Sequence, residues 1–260
     1  MLSTLRTQLW HFRDRMHRAG DFATFRALSA GPSGLTTLKL RVNGMIVPVT
    51  VRGGTEDVVM SSLILRDESE YRLPQLPDFK PSIILDLGAN IGLASIYFAT
   101  RYPQAHIWSV EPLPENLALL ERNLAPFRDR VTILRCGLGE TAGTFPYYPS
   151  EDRGNFGGGT FQPGHGDASR ATLLPIRTLS EVFKAEHIPQ PDVIKLDVEG
   201  FEGPILRGAP ESMIAATRVV IGELHGIEDY AVLDVFSRTH NVGHHKVWNR
   251  PNSSFVAVRQ

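Results

Sequence analysis

Three carboxylates and one imidazole stand at the ends of two short apolar runs. Asp197 and Glu199 follow Val193 to Leu196, and Glu223 and His225 close the run that begins at Val219. Side chains alternate along an extended chain, so Glu223 and His225 share a side, as Asp197 and Glu199 do if extension persists past Leu196. Such a group suits removal of a proton from a hydroxyl under attack, one member acting as general base. Asp197, Glu223 and His225 could also hold a divalent metal, although none is expected. Each has a structural reading too: Glu223 as an ion-pair partner of Lys195, His225 as a satisfied, partly buried histidine. Glu202 is expected to serve the first turn of a helix starting near Phe201, and Lys195 to be buried along its stem beside a carboxylate. Tyr71 either covers a ligand or packs in the core, and His244 and His245 read as surface.

A second feature is the turn Asp86-Leu87-Gly88-Ala89-Asn90-Ile91-Gly92, which ends the apolar run from Ser82. Glycines let backbone approach a ligand, and the helix expected from about Gly92 presents unpaired amides at its N-terminus. The spacing is G-x-x-x-G, without the third glycine of the G-x-G-x-x-G turn that approaches a pyrophosphate. That points away from a dinucleotide and towards a ligand carrying both an ammonium and a carboxylate. S-adenosylmethionine fits: the helix amides would receive its carboxylate, with Asp86 on its ammonium side. Glu111 ends the next run, His106 to Val110, where an acidic residue accepts hydrogen bonds from ribose hydroxyls.

The elements that must position these residues read as βα units. From residue 82 onward, short apolar runs at Ser82–Leu87, His106–Val110, Val131–Arg135, Val193–Leu196 and Val219–Leu224 alternate with amphipathic stretches, notably Gly92–Arg101 and Pro114–Leu124. This predicts a doubly wound, mostly parallel sheet. His244–Trp248 and Ser254–Val258, joined by the Asn249–Asn252 turn, complete seven strands with an antiparallel last hairpin. Residues 1–80 are expected as a small N-terminal extension and 81–260 as the ligand-binding domain. The extension holds an amphipathic helix over Met1–Gly20, a hairpin turning at Asn43-Gly44 and a helix over Asp57–Arg66. Thr141 to Ala171 carries too many Gly and Pro residues for regular structure and is expected as a mobile loop on the substrate side.

Twenty-seven basic against 28 acidic residues give a net charge of -1, which offers no broad electrostatic footprint for nucleic acid or anionic membrane. The single cysteine, Cys136, excludes an intramolecular disulfide framework and fits a reducing cytoplasm. No apolar run is long enough to span a bilayer.

The motifs converge on one family. Asp86-Leu87-Gly88-Ala89-Asn90-Ile91-Gly92, Glu111-Pro112, and Ile194-Lys195-Leu196-Asp197-Val198-Glu199-Gly200-Phe201-Glu202 with Leu206 and Gly208 resemble the FkbM-type methyltransferases. The similarity runs from about Gly54 to Val258 and takes in Thr55 and Asp57. The resemblance implies a class I methyltransferase, Rossmann-like fold and O-methylation of natural-product or glycan hydroxyls. By match of position, Asp86, Gly88, Ala89, Asn90, Gly92, Glu111, Pro112 and Asp197 would hold S-adenosylmethionine, with Asn116 near its ribose. Gly137 and Leu138 would lie against the adenine, where this chain offers no acidic residue before Glu140. An NAD(P)-dependent oxidoreductase and a non-catalytic binding module remain the competing readings.

Overall fold

The computed structural model describes residues 22–30, 34–66, 71, 73–74, 76–152, 155–225, 230–246 and 253–260. The helix expected over Met1–Gly20, the Asn249–Asn252 turn and Trp248 lie outside them. Helix α1 (Phe22–Ala30) precedes a hairpin of β1 (Leu35–Val42) and β2 (Met45–Arg52), and α2 (Glu56–Arg66) follows it. Asn43 and Gly44 carry φ of 46° and 83°, the two left-handed residues that a type I′ hairpin turn requires.

The main sheet is built from β3 (Ile83–Leu87), β4 (His106–Val110), β5 (Val131–Leu134), β9 (Val193–Leu196), β10 (Val219–Leu224), β11 (His240–Lys246) and β12 (Ser253–Arg259). Its order is β11-β12-β10-β9-β3-β4-β5. The pairs linking β10, β9, β3, β4 and β5 are parallel, and β12 runs antiparallel to both β10 and β11. The last strand is therefore inserted one place inside the edge, and β11 forms the rim. Helices α3 (Leu93–Arg101), α4 (Pro114–Leu124), α5 (Leu179–Ala185), α6 (Glu202–Arg207), α7 (Glu211–Ala216) and α8 (Ala231–Ser237) complete the domain.

The central strands are buried on both faces, which is why their sequences read as unbroken apolar runs. Ile84, Ile107 and Val193 pack on the α3 and α4 side, where Leu38, Val49 and Val51 of the hairpin join the same core. Leu85, Leu87, Ile194 and Leu196 pack on the opposite side with Phe183 and Phe236. The expected N-terminal extension thus shares a core with the sheet. Its backbone is also tied in: Asn123 of α4 accepts from Thr50 N at 2.7 Å and donates to Thr50 O at 3.0 Å and to Ile91 O at 2.9 Å.

Thr141 to Ala171, expected as an irregular loop, is partly sheet. β6 (Gly137–Gly139), β7 (Gly143–Tyr147) and β8 (Thr172–Thr178) form a three-stranded sheet of order β6-β8-β7, and Tyr148 bridges Thr160. Pro146 fits because β7 is an edge strand, which needs fewer ladder donors. No helix among the described residues is long and apolar enough to cross a membrane.

Candidate active site

The chain runs outward from β3 to β5 and then returns to β9 beside β3, so its connections diverge at the β3–β9 boundary. Ligands of open α/β sheets bind outside the carboxyl ends of the strands at such a point. A cleft of about 710 Å³, its open mouth included, lies there. Gly88, Asn90, Glu111, Pro112, Asn116, Gly137, Leu138, Asp197 and Glu199 all line it. Tyr147, Phe156 and Phe161 from the Gly/Pro-rich stretch line it too, which puts that stretch on the ligand side.

Local geometry explains the glycine turn. Gly88 has φ 80°, and a Cβ there would meet Asp197 O at 2.0 Å, so the ends of β3 and β9 could not pack with any larger residue. Asn90 also takes a left-handed φ, 50°. Its N–H donates to Glu111 Oε2 at 2.9 Å, while Glu111 Oε1 accepts from Leu113 N at 3.0 Å and Asn116 Nδ2 at 3.2 Å. One carboxylate thereby clamps the turns after β3 and β4. Burial raises the Glu111 carboxyl, opposed by these three donors and by Lys195. Glu111 Oε2 retains acceptor capacity. Asn90 Oδ1 is buried with no hydrogen-bond partner among the described residues.

Three residues expected at the cofactor do not line the cleft. Asp86, read from sequence as facing an ammonium, is fully buried and does not line the cleft. Strand register aligns it with Lys195, whose Nζ lies 3.2 Å from Asp86 Oδ1; Ser95 Oγ donates to the other oxygen at 2.6 Å. Ala89 is buried in the turn, its N–H donating to Val110 O at 2.9 Å. At Gly92, with φ 90°, a Cβ would press on Leu120 at 2.8 Å, so the missing side chain lets α4 pack against the turn.

Beside the cleft the four expected reactive groups do come together. His225 Nε2 lies 3.5 Å from Asp197 Oδ1, 3.5 Å from Glu199 Oε2 and 3.7 Å from Glu223 Oε2. Atoms of Asp197, Glu223 and His225 fall within 4.8 Å of one another, a spacing a divalent cation could also span. Two members were not singled out for chemistry in the sequence. Glu202 is fully buried and its Oε1 accepts from His225 Nδ1 at 3.1 Å and from Val198 N at 3.0 Å. Tyr71 donates its hydroxyl to Asp197 Oδ2 at 2.5 Å. Glu199 and Gly200 carry φ of 55° and 87°, which turn the chain back so that the start of α6 meets the end of β10. His244 and His245 are exposed on β11.

Charge in this cluster is redistributed. Desolvation would lower the His225 imidazole, but the Glu202 bond and the Asp197 and Glu199 carboxylates push it up to about 10. Glu199 is pushed up to about 8, by desolvation first, with Asp197, Glu202 and Glu223 adding to it and His225 opposing. Asp197 goes the other way: desolvation is outweighed by Lys195, His225 and the Tyr71 bond, which hold it low. Burial alone would lower the Lys195 ammonium, yet Asp86 and Asp197 keep it above its usual range. Titrating groups perturbed by burial and by one another thus gather at the cleft, which makes them the candidate site.

An open, mostly parallel seven-stranded sheet with an antiparallel last strand and a cleft at its switch point is the class I methyltransferase fold. The chain belongs to the FkbM methyltransferases: the Methyltransferase FkbM domain profile matches residues 86–252. Methyltransferase sdnD of Sordaria araneosa is 33% identical over 183 residues, 59% of this chain and 69% of its own. Hexuronic acid methyltransferase AglP of Haloferax volcanii is 27% identical over 187 residues, 71% of this chain and 68% of its own. The crystal structure of methyltransferase FkbM from Methylobacillus flagellatus aligns with 98% of this chain at a TM-score of 0.53 and 17% identity. This chain spans 60% of that one, and the likeness is one of fold. Family membership sets the oxidoreductase reading aside.

Proposed function

We propose that this chain is an S-adenosylmethionine-dependent O-methyltransferase acting on a hydroxyl of a small-molecule natural product, sugar or glycan. One observation carries the reading: a single cleft runs from the Glu111 clamp to Asp197 and Glu199, both 3.5 Å from His225 Nε2. The residues present suit the cofactor. Glu111 Oε2 would accept from a ribose hydroxyl, and the orphaned Asn90 Oδ1 with the ionised Asp197 would meet the ammonium end. Gly137 and Leu138 would lie against the adenine. The name of the AglP relative supports a carbohydrate-type acceptor.

When bound, S-adenosylmethionine supplies an electrophilic methyl group for in-line displacement by the acceptor oxygen. The protein has to align that oxygen and take its proton. Glu199 is suited to the second task because it lines the cleft and its carboxyl is held near neutrality, where a carboxylate is a far stronger base than usual. His225 stands behind it as an imidazolium anchored by Glu202, stabilising Glu199 each time it ionises. Asp197, fixed by Tyr71 and Lys195, stays charged at the cleft wall, and Glu223 completes the ring around the imidazole. Glu199 and His225 titrate as a coupled unit.

The test is a mass-spectrometric screen of hydroxylated metabolites and oligosaccharides with methyl-labelled S-adenosylmethionine. The reading expects label on an acceptor oxygen with wild-type protein and loss of turnover, with cofactor binding retained, in Glu199→Gln. Label on nitrogen or carbon would refute O-methylation.

A further inference from the structure

Arg52 and Asp57 belong to the hairpin end and to α2, outside residues 86–252 that carry the family match, yet Arg52 touches two residues that line the cleft, Asn116 and Phe156. Arg52 donates from Nε to Asp57 Oδ2 at 2.8 Å and from its backbone N–H to the same oxygen at 3.0 Å. Its Nη2 donates to Asn116 Oδ1 at 2.9 Å. The guanidinium carbon lies 4.0 Å from the centre of the Phe156 ring, and the side chains of Arg52 and Asp57 are only 12% and 5% exposed.

A guanidinium donates and never accepts. Asn116 must therefore present its oxygen to Arg52, which leaves Nδ2 to face Glu111 Oε1 at 3.2 Å. Without Arg52 the Asn116 oxygen loses its donor, and the amide is held from the Glu111 side alone. The asparagine amide that meets Glu111 is thus held from its other side by a residue 64 positions earlier. The result is an unbroken file of alternating acceptors and donors, Asp57, Arg52, Asn116 and Glu111, ending at the carboxylate that clamps the glycine turn. Charge-assisted links of this kind are the stronger class of hydrogen bond.

We propose that Arg52 is a positioning residue for the ribose end of the cofactor: it locks the Asn116 amide, which holds Glu111 in the orientation that receives the ribose hydroxyls. This rests on the S-adenosylmethionine reading above. Lysine cannot replace it, because one ammonium lacks the planar fork that serves Asp57 and Asn116 at fixed geometry.

Calorimetry with S-adenosylhomocysteine, and with an analogue lacking both ribose hydroxyls, tests this on the full chain. Arg52→Ala and Arg52→Lys should each weaken S-adenosylhomocysteine about tenfold and the analogue less than about twofold, because the analogue has nothing to offer Glu111. A merely structural role would weaken both ligands alike, and that result, or unchanged affinity for both, overturns the proposal. Should Arg52→Ala not fold, Arg52→Lys, which keeps the charge, decides by the same comparison. Failure of the wild-type protein to bind S-adenosylhomocysteine overturns the cofactor reading itself, whereas wild-type binding with unaltered variants overturns only the role of Arg52.

Discussion

Replacing Glu202 by Gln probes the electrostatics of the site with almost no change of shape. Glu202 Oε1 serves both His225 Nδ1 and Val198 N, at 3.1 and 3.0 Å, and glutamine keeps an oxygen there. What is lost is the charge. A hydrogen bond to a charged partner contributes about 1.5–3 kcal/mol and a neutral one about 0.5–1.5, so the charged imidazole loses roughly 1–1.5 kcal/mol of preference. At about 1.4 kcal/mol per unit, His225 should fall by about one unit, from about 10 to about 9. Nitrogen-15 NMR of labelled histidine follows the titration directly. The sign also sets a stability profile. Because the folded protein binds the His225 proton more tightly than the unfolded chain, this contribution is complete below about pH 6.5 and is lost as pH rises through about 10. Glu202→Gln should shrink that loss. A wild-type His225 titrating near its ordinary value, or one unmoved by Glu202→Gln, would refute the argument that buried carboxylates hold the imidazole charged.

Three more outcomes follow from the same site. With Glu199 at about 8, its ionised fraction grows about fivefold between pH 7 and pH 8, so turnover should climb by a similar factor over that interval; a flat profile there would remove Glu199 as the base. Glu111→Ala should weaken S-adenosylmethionine at least about tenfold, roughly 1.4 kcal/mol, and calorimetry showing wild-type affinity would mean the clamp is not a ribose site. Turnover should survive exhaustive chelation, and its loss with recovery on adding magnesium or manganese would replace the base by a cation held at Asp197, Glu223 and His225.

Much of the fold was legible because each central strand is buried on both sides, which writes it into the sequence as an apolar run bounded by turn residues. The hairpin was legible from Asn43-Gly44 set between the alternating run Leu38–Val42 and the run Ile46–Val51. The β6-β8-β7 sheet was not, since its outer strand carries Gly143 and Pro146, residues that read as breakers and are tolerated only at an edge. At the site, alternation correctly paired Glu223 with His225. It could also have turned Asp86 away from the cleft, because Asp86 and Lys195 occupy matched positions on neighbouring parallel strands. Glu202 was read as structural because an acidic residue in the first turn of a helix already has a local explanation. Arg52 was beyond reach, as its partners Asn116 and Phe156 come from distant elements whose meeting only the packed core defines.

The account stands on the cleft at the ends of β3, β4 and β9 being built for an amino-acid nucleoside. Isothermal calorimetry of the intact protein against S-adenosylmethionine and NAD measures this most directly. Saturable binding of S-adenosylmethionine at one site per chain, with no heat from NAD, is the expected result. A folded protein that ignored S-adenosylmethionine, or preferred NAD, would contradict it.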